Sequence, residues 1–252
     1  FPPSIFSTFS RYFCKIFENL GFPLIFSAAA MTDVASPALR SLEKQRETRF
    51  FIFLQKGITE EIKVFDFTQE ELKTLKVRKI KGKTIYQVGS NENGNYLRAE
   101  AEGKASGLGK EVKIDLTKTP FLNITWKVEK DLSGIIENSK KGHDYAARVF
   151  VIKKTGATAL SNRAINYVFS SNSSVGENWP SPYTKKSIDY VLATTKEHNN
   201  KWVTVKANVR EHFKILHNLD VEEIEGLAIM TDTDNSKLKA ISYYQNIYFS
   251  SE

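Results

Sequence analysis

The stretch Tyr145-Ala146-Ala147-Arg148-Val149-Phe150-Val151-Ile152 decides the fold class of this chain of 252 residues. Its β-branched and aromatic residues favour a β-strand, and the alternation of a strand places Arg148 on the same face as Phe150. A guanidinium on an apolar strand face needs a carboxylate or carbonyl partner, for which Asp144 and Asp232 are the candidates. The stretch therefore predicts a strand whose arginine either forms a buried ion pair between strands or grips sugar hydroxyls or a carboxylate in a concave face.

Segments with the same two-residue period recur from residue 50 to the carboxyl end, separated by turn signals such as Lys81-Gly82-Lys83 and Ser106-Gly107-Leu108-Gly109. Strands at this spacing with few helices are typical of an antiparallel sandwich or barrel. A short helix is predicted at residues 220–225, and Trp126 and Trp202 are predicted to lie in the core. The predicted strands cover residues 50–54, 62–66, 84–88, 96–101, 111–116, 121–129, 145–153, 163–170, 188–193, 201–209, 226–231 and 240–249.

Composition excludes several classes of protein. Hydrophobic residues make up 41% of the chain, which is enough for a substantial core and argues against disorder. Cys14 is the single cysteine, so an internal disulfide framework and a cysteine-based metal site are excluded. The net charge of +7 is spread along the sequence, which does not favour nucleic-acid binding. The densest basic run, residues 73–83, has the alternation of a strand with a solvated cationic face, which suits an acidic polymer or an anionic membrane surface.

The first 31 residues are rich in phenylalanine and carry only three charges. Spacings of three and four residues place an aromatic stripe on one helical face, which includes Phe6, Phe9, Phe13 and Phe17. Three interpretations compete: an uncleaved signal or anchor, an interfacial amphipathic helix, and a helix docked on a partner protein or on the rest of the chain. Export or membrane association ranks first. Residues 32–57 then form a linker with a short helix, and residues 58–252 form the β domain.

Two runs in the second half are the most specific elements of a family resemblance, Asp144-Tyr145-Ala146-Ala147-Arg148 and Met230-Thr231-Asp232-Thr233-Asp234-Asn235. Together with Asn166-Tyr167 and Trp202, they resemble a bacterial domain-of-unknown-function family grouped with galactose-binding-like jelly rolls. The resemblance covers about residues 60–250, and it implies an antiparallel jelly-roll β-sandwich, preceded here by a helical extension, and export to the cell envelope. It implies no activity. Phe169 stands where members of the family tend to have tryptophan, which weakens a stacking role there.

Loop residues supply the candidate ligand site. Trp179 and Tyr183 lie in a segment rich in proline and aromatic residues, where they offer flat surfaces for a sugar ring and Asn178 offers hydrogen bonds to its hydroxyls. Trp179 equally suits a structural role at the end of the sandwich. The remaining candidates are polar residues at strand ends. Arg148, Asp144, Arg163 and Arg210 complete the predicted ligand-binding set.

Asp232, Asp234 and Asn235 place oxygen ligands at alternate positions, as at the start of a calcium loop. The run lacks the glycine and the distant glutamate of an EF-hand loop, so a calcium site would need oxygens from other loops. The competing interpretation is a strand that ends in a turn, with local hydrogen bonds from the Asp and Asn side chains. Calcium is the only cofactor that the sequence suggests.

The sequence favours a non-catalytic binding module of the bacterial cell envelope, periplasmic or membrane-associated, with a carbohydrate or another polar polymer as its ligand. The second hypothesis is an accessory subunit of a membrane-associated or multiprotein assembly, which contacts partner proteins. The third is a polysaccharide-active enzyme that uses the aspartates, for which no catalytic residue is assigned.

Overall fold

The computed structural model describes residues 59–158 and 161–252, which form two packed β-sheets. The predicted jelly-roll β-sandwich is confirmed. Three short helices accompany the strands: α1 (Gln69–Thr74), α2 (Thr195–His198) and α3 (Val209–His217). The strands are β1 (Glu61–Lys63), β2 (Lys76–Lys81), β3 (Ile85–Asn91), β4 (Gly94–Glu102), β5 (Ala105–Asp115), β6 (Phe121–Lys130), β7 (Ala147–Lys153), β8 (Arg163–Ser170), β9 (Asn178–Ser181), β10 (Thr184–Thr194), β11 (Val203–Asn208), β12 (Glu223–Asp232) and β13 (Lys239–Ser250).

The first sheet has the strand order β11-β6-β13-β4-β3, and β1 pairs with the end of β13. The second sheet has the order β2-β5-β12-β7-β8-β10-β9. All strand pairs in the described residues are antiparallel except β8 and β10, which run parallel because β9 and its connections lie between them in the chain. The sandwich is therefore antiparallel with one parallel pair.

The core lies between the two sheets and consists of the inward-facing residues of each strand. Trp126 of β6 is completely buried there, as predicted. In β7 the inward residues are Ala147, Val149 and Val151. Arg148 therefore points to the outer face of the second sheet, because successive side chains of a strand point to opposite faces. The alternation that predicted the strand thus also places the arginine outside the main core.

Several predicted elements differ from the structure. The turn expected at residues 106–109 lies inside β5, where Gly107 and Gly109 pair with Met230 and Ala228 of β12. A Cβ at Gly107 would lie only 3.2 Å from a backbone oxygen of β12, so its glycine reflects close packing and not a turn.

The prediction of a helix at residues 220–225 is also wrong. The chain is helical at Val209–His217, with the Asn208 side chain accepting a hydrogen bond from the Glu211 N–H at its start. Asn218 adopts a left-handed conformation that ends the helix. The buried residues Val209 and Phe213 are four residues apart, a spacing typical of a helix that packs on a core.

Trp202 is half-buried, contrary to the prediction that it belongs to the core. Its ring contacts Tyr96 and Tyr243, with centroid distances of 6.1 and 5.9 Å. Tyr243 lies beside Lys127, whose neighbour Trp126 points into the core, so this cluster covers the outer face of the first sheet.

The predicted amino-terminal segments lie outside the described residues, including the stripe of Phe6, Phe9, Phe13 and Phe17. Within residues 59–158 and 161–252, no helix combines the length and the apolar character needed to cross a bilayer.

Candidate functional site

The candidate site lies at the end of the second sheet, where β7 begins and β12 ends. The connection from β6 to β7 is held there by Glu137, a buried carboxylate. Glu137 accepts hydrogen bonds from the Ser170 hydroxyl at 2.5 Å and the Ser171 N–H at 2.8 Å. These bonds fix the connection to the end of β8 and so position the residues that follow it, His143 to Tyr145.

A buried ion pair joins β7 to β12 at this point. Arg148 donates a hydrogen bond from its guanidinium to the carboxylate of Asp232, and the two residues are 3% and 1% exposed. The guanidinium also lies against the rings of Tyr145 and Phe150, at 5.0 and 5.2 Å from their centroids. The predicted carboxylate partner of Arg148 is therefore Asp232, and the pair ties two neighbouring strands together.

Burial and the neighbouring charges have opposing effects on the pKa values of Arg148 and Asp232. Burial raises the pKa of Asp232 to about 7, and Asp144 adds to this effect, although the Arg148 guanidinium acts in the opposite direction. Burial disfavours the charge of Arg148, but Asp232 and Asp189 more than compensate and raise its pKa. Arg148 is therefore a permanent cation, whereas Asp232 takes up a proton near neutral pH.

Asp144 fixes the turn after β12. Its carboxylate accepts hydrogen bonds from the backbone N–H groups of Asn235 and Ser236, at 3.2 and 2.5 Å, and from the Asn235 side chain at 2.9 Å. Asp144 is completely buried. These hydrogen bonds fit the second interpretation of this run, a strand that ends in a turn, better than a calcium loop.

Asp144, Asp232 and Asp234 nevertheless come together, with one oxygen of each within 4.8 Å of the others. Such a group could hold a cation, but Arg148 already supplies a positive charge to it. Asp234 is the member whose carboxylate has no hydrogen-bond or ion-pair partner among the described residues.

A second network of buried polar side chains extends across the sheet from β8 to the connection between β6 and β7. Asp189 is completely buried and contacts His143 Nε2 at 2.8 Å and Asn166 Nδ2 at 2.7 Å. Within the described part of the chain, Arg148 Nε and Asn166 Oδ1 are two of four buried side-chain polar atoms without a hydrogen-bond partner. The outer face of the second sheet thus retains unused hydrogen-bonding capacity beneath its surface.

Trp179 is half-buried and packs against this layer. It lies in β9, opposite Asp189, and its ring packs against Tyr145, Val168 and Val191. Its Nε1 is buried without an acceptor in bonding geometry. This environment fits a structural role for Trp179 at the end of the sandwich better than a role as an exposed surface for a sugar ring.

Tyr183 is the exposed aromatic residue of the site. It is 59% exposed, and its hydroxyl donates a hydrogen bond to Asn235 Oδ1 at 2.7 Å and lies 3.3 Å from the Lys140 carbonyl oxygen. Partial burial and the nearby Asp234 raise the pKa of Tyr183, which keeps the hydroxyl protonated as a donor. Tyr183, Asp234, Asn235 and Lys140 are called the Tyr183 rim below.

Three predicted ligand residues lie elsewhere. Asn178 pairs with Tyr190, so its side chain points away from the face of Trp179, and it donates to the Gly176 carbonyl. Arg163 begins β8 at the opposite end of the β7–β8 pair and donates to the Ser161 carbonyl. Arg210 lies in α3, where it forms two hydrogen bonds with Asp220.

Sequence reasoning did not select Asp189, Asn166 or Lys140 for the site. Asp189 carries the same signal as Arg148, since it is a charged residue within an apolar strand segment, Ile188 to Val191. Lys140 carries no comparable signal, because its contribution is a backbone carbonyl.

A family model described as "Protein of unknown function (DUF3047)" matches residues 70–248. The chain belongs to this family. The resemblance to a domain-of-unknown-function family is therefore confirmed. No curated protein matches the sequence significantly.

Several solved structures are similar to the chain at low sequence identity. The family 30 carbohydrate-binding module of the cellulosomal cellulase Cel9D-Cel44B of Clostridium thermocellum has a TM-score of 0.47 and 10% identity, and the match covers 77% of this chain and 98% of that one. A cellulase derived from Cel12A of Rhodothermus marinus has a TM-score of 0.41 and 8% identity, with 77% and 100% covered. The xyloglucanase domain of NopAA from Sinorhizobium fredii has a TM-score of 0.36 and 10% identity, with 66% and 92% covered. These likenesses assign no ligand to the DUF3047 chain.

Proposed function

We propose that this DUF3047 protein is a non-catalytic carbohydrate-binding module of the bacterial cell envelope, and that a sugar residue of its ligand rests on the Tyr183 rim. The observation that carries the proposal is the exposed Tyr183 ring, which the Asn235 side chain and the Lys140 carbonyl hold in place. A ring fixed in this way loses little conformational freedom when a ligand binds.

The chemistry of the rim suits a neutral sugar. The apolar face of a pyranose can lie on an aromatic ring, while its hydroxyl groups need donors and acceptors at the edge of that ring. Asp234 offers a half-exposed carboxylate as the acceptor. Lys140, whose backbone carbonyl contacts the Tyr183 hydroxyl, has an exposed side chain that we propose as the donor.

Binding fits the geometry better than glycoside cleavage. A catalytic acid or base must reach the glycosidic oxygen or the attacking water. Asp144 and Asp232 are 0% and 1% exposed, and internal donors already bond to their oxygens. Their role is to hold the rim, because Asp144 fixes the turn that carries Asp234 and Asn235.

The test measures binding of the full chain to a panel of bacterial and plant polysaccharides by affinity gel electrophoresis. We expect Tyr183→Ala to weaken the best interaction at least tenfold, which corresponds to about 1.4 kcal/mol. The melting temperature should change little, since the ring is exposed. Trp202→Ala is the matched control, because it removes a half-exposed aromatic residue from the other sheet.

Binding that Trp202→Ala abolishes and Tyr183→Ala leaves intact would place the ligand on the wrong face for this proposal. Failure to bind any polysaccharide of the panel would also contradict it. Turnover of a polysaccharide by the wild-type chain would refute the non-catalytic assignment.

A further inference from the structure

A cluster of lysines and exposed apolar residues lies next to the Tyr183 rim, where three connections meet, one of which also carries Asp234 and Asn235. They are the β2–β3 turn, the β4–β5 turn and the β12–β13 connection. All six residues of β2 are exposed, and β2 forms an edge of the second sheet. The cluster, called the basic corner here, consists of Lys81, Lys83, Lys104 and Lys237 with Ile80, Ile85 and Leu238.

The lysines of the basic corner are contiguous. A Cβ placed on Gly82 would meet the Lys104 side chain at 2.9 Å, and one on Gly103 would meet the Lys237 side chain at 3.9 Å. Lys81 lies close enough to Lys237 to lower the pKa of that ammonium group. Like charges that crowd together in this way favour an anionic partner, which relieves their repulsion.

The acidic residues nearby do not neutralise the cluster. Glu102 is exposed in the β4–β5 turn, and Asp234 lies three residues before Lys237. The Lys237 ammonium group donates a hydrogen bond to the backbone carbonyl of Asp234 and not to its carboxylate. Glu100, which lies opposite Ile85, is paired with Arg98 and Lys239, and the Asp144 carboxylate bonds to the backbone of the β12–β13 turn, so neither is free to pair with the four lysines.

Exposed apolar side chains distinguish the basic corner from a site that binds a polyanion through charge alone. Eight large apolar residues are exposed in the described part of the chain, and four of them lie on β2 or at this corner. They are Val77 (51%), Ile80 (54%), Ile85 (52%) and Leu238 (41%). A nucleic acid would favour aromatic residues among the lysines for base stacking, and the basic corner has none.

We propose that the basic corner is a membrane-contact site for anionic phospholipids, in which the lysines meet the headgroups and Ile80, Ile85 and Leu238 enter the interface. Clustered lysines beside apolar side chains are the combination that binds anionic bilayer surfaces. The site would bring the folded domain itself to the membrane, independently of the phenylalanine-rich residues 1–31 and of carbohydrate binding at the Tyr183 rim.

The experiment measures sedimentation of the full chain with vesicles of phosphatidylcholine alone and of phosphatidylcholine with phosphatidylglycerol. Each lysine near an anionic surface contributes about a fivefold change in binding, so Lys81→Gln with Lys104→Gln should weaken binding to the mixed vesicles about thirtyfold. Added salt should weaken it as well. The matched control is Lys113→Gln with Lys201→Gln, two exposed lysines away from the corner, which should change binding less than twofold.

A second variant separates a lipid surface from a soluble polyanion. Ile80→Thr with Ile85→Thr keeps all charges and the β-branched shape, and it should weaken vesicle binding while leaving retention on heparin unchanged. Equal binding to both vesicle types, or full vesicle binding by the lysine variant, would overturn the proposal. So would an isoleucine variant that binds vesicles like the wild type, because it would indicate a polyanion site. Polysaccharide binding measured in parallel reports on the Tyr183 rim separately.

Discussion

Replacing Arg148 with methionine tests the role assigned to the buried pair with Asp232. The substitution keeps an unbranched apolar stem but removes the guanidinium. At pH 8 the variant must bury Asp232, which is 1% exposed, beside Asp144 and Asp234 without a cation, either as an unpaired carboxylate or with a proton that the wild type has largely released. Removing one partner of a buried ion pair costs about 3–5 kcal/mol, because the other charge stays buried without compensation. Because the variant can avoid part of this cost by keeping Asp232 protonated, we expect a loss at the lower end of that range, about 3 kcal/mol in the free energy of unfolding.

The loss should shrink at low pH. In the wild type the pKa of Asp232 is about 7, and without Arg148 it should be higher, because the guanidinium lowers it. At pH 5 the folded variant therefore carries a neutral Asp232 and no uncompensated charge at that residue. The remaining cost is the lost packing of Arg148 against the Tyr145 and Phe150 rings, about 1–2 kcal/mol.

Urea denaturation followed by tryptophan fluorescence at pH 5 and pH 8 measures both values. Arg210→Met is the matched control, since its pair with Asp220 is exposed, and we expect little change at either pH. A loss for Arg148→Met that is equal at pH 5 and pH 8 would refute the electrostatic reasoning. So would a loss at pH 8 no larger than that of the control.

Three further predictions concern the same region. The pKa of Asp232 in the folded state is about 7, which exceeds its ordinary value of 3.8. Between these values the folded state binds more protons than the unfolded state, so the free energy of unfolding falls as the pH rises from about 4 to 7. A series of urea titrations should show that Asp232→Asn flattens this fall. Gly142→Ala should cost about 1–3 kcal/mol, because its Cβ would lie 2.4 Å from the Ile136 carbonyl oxygen, whereas Gly109→Ala meets nothing closer than 3.7 Å and should melt within a few degrees of the wild type. Millimolar calcium should leave the melting temperature of the wild type unchanged and raise that of Arg148→Met, since the guanidinium occupies the place of a cation; a rise in the wild type alone would contradict this.

Local features of the sequence were sufficient to predict most strands. The alternation of side chains is a property of each strand by itself, so Tyr145 to Lys153 and Arg163 to Ser170 read as strands without knowledge of their neighbours. The need of Arg148 for a partner also followed from the sequence, because a cation on an apolar strand face cannot remain unpaired. The glycines of β5 misled the same reasoning, since Gly107 serves close packing against β12 and not a turn.

The tertiary structure decided which residues meet. Arg148 and Asp232 are 84 positions apart, and their contact depends on β7 lying beside β12, which no local pattern specifies. The same strand order packed Trp179 against the buried residues Tyr145, Val168 and Val191 and left Tyr183 exposed, although both lie in one short segment. Periodicity therefore determined most strands and the alternation of side chains within them, whereas the pairing of distant strands determined the site, because contacts between distant residues arise only when the sheets assemble.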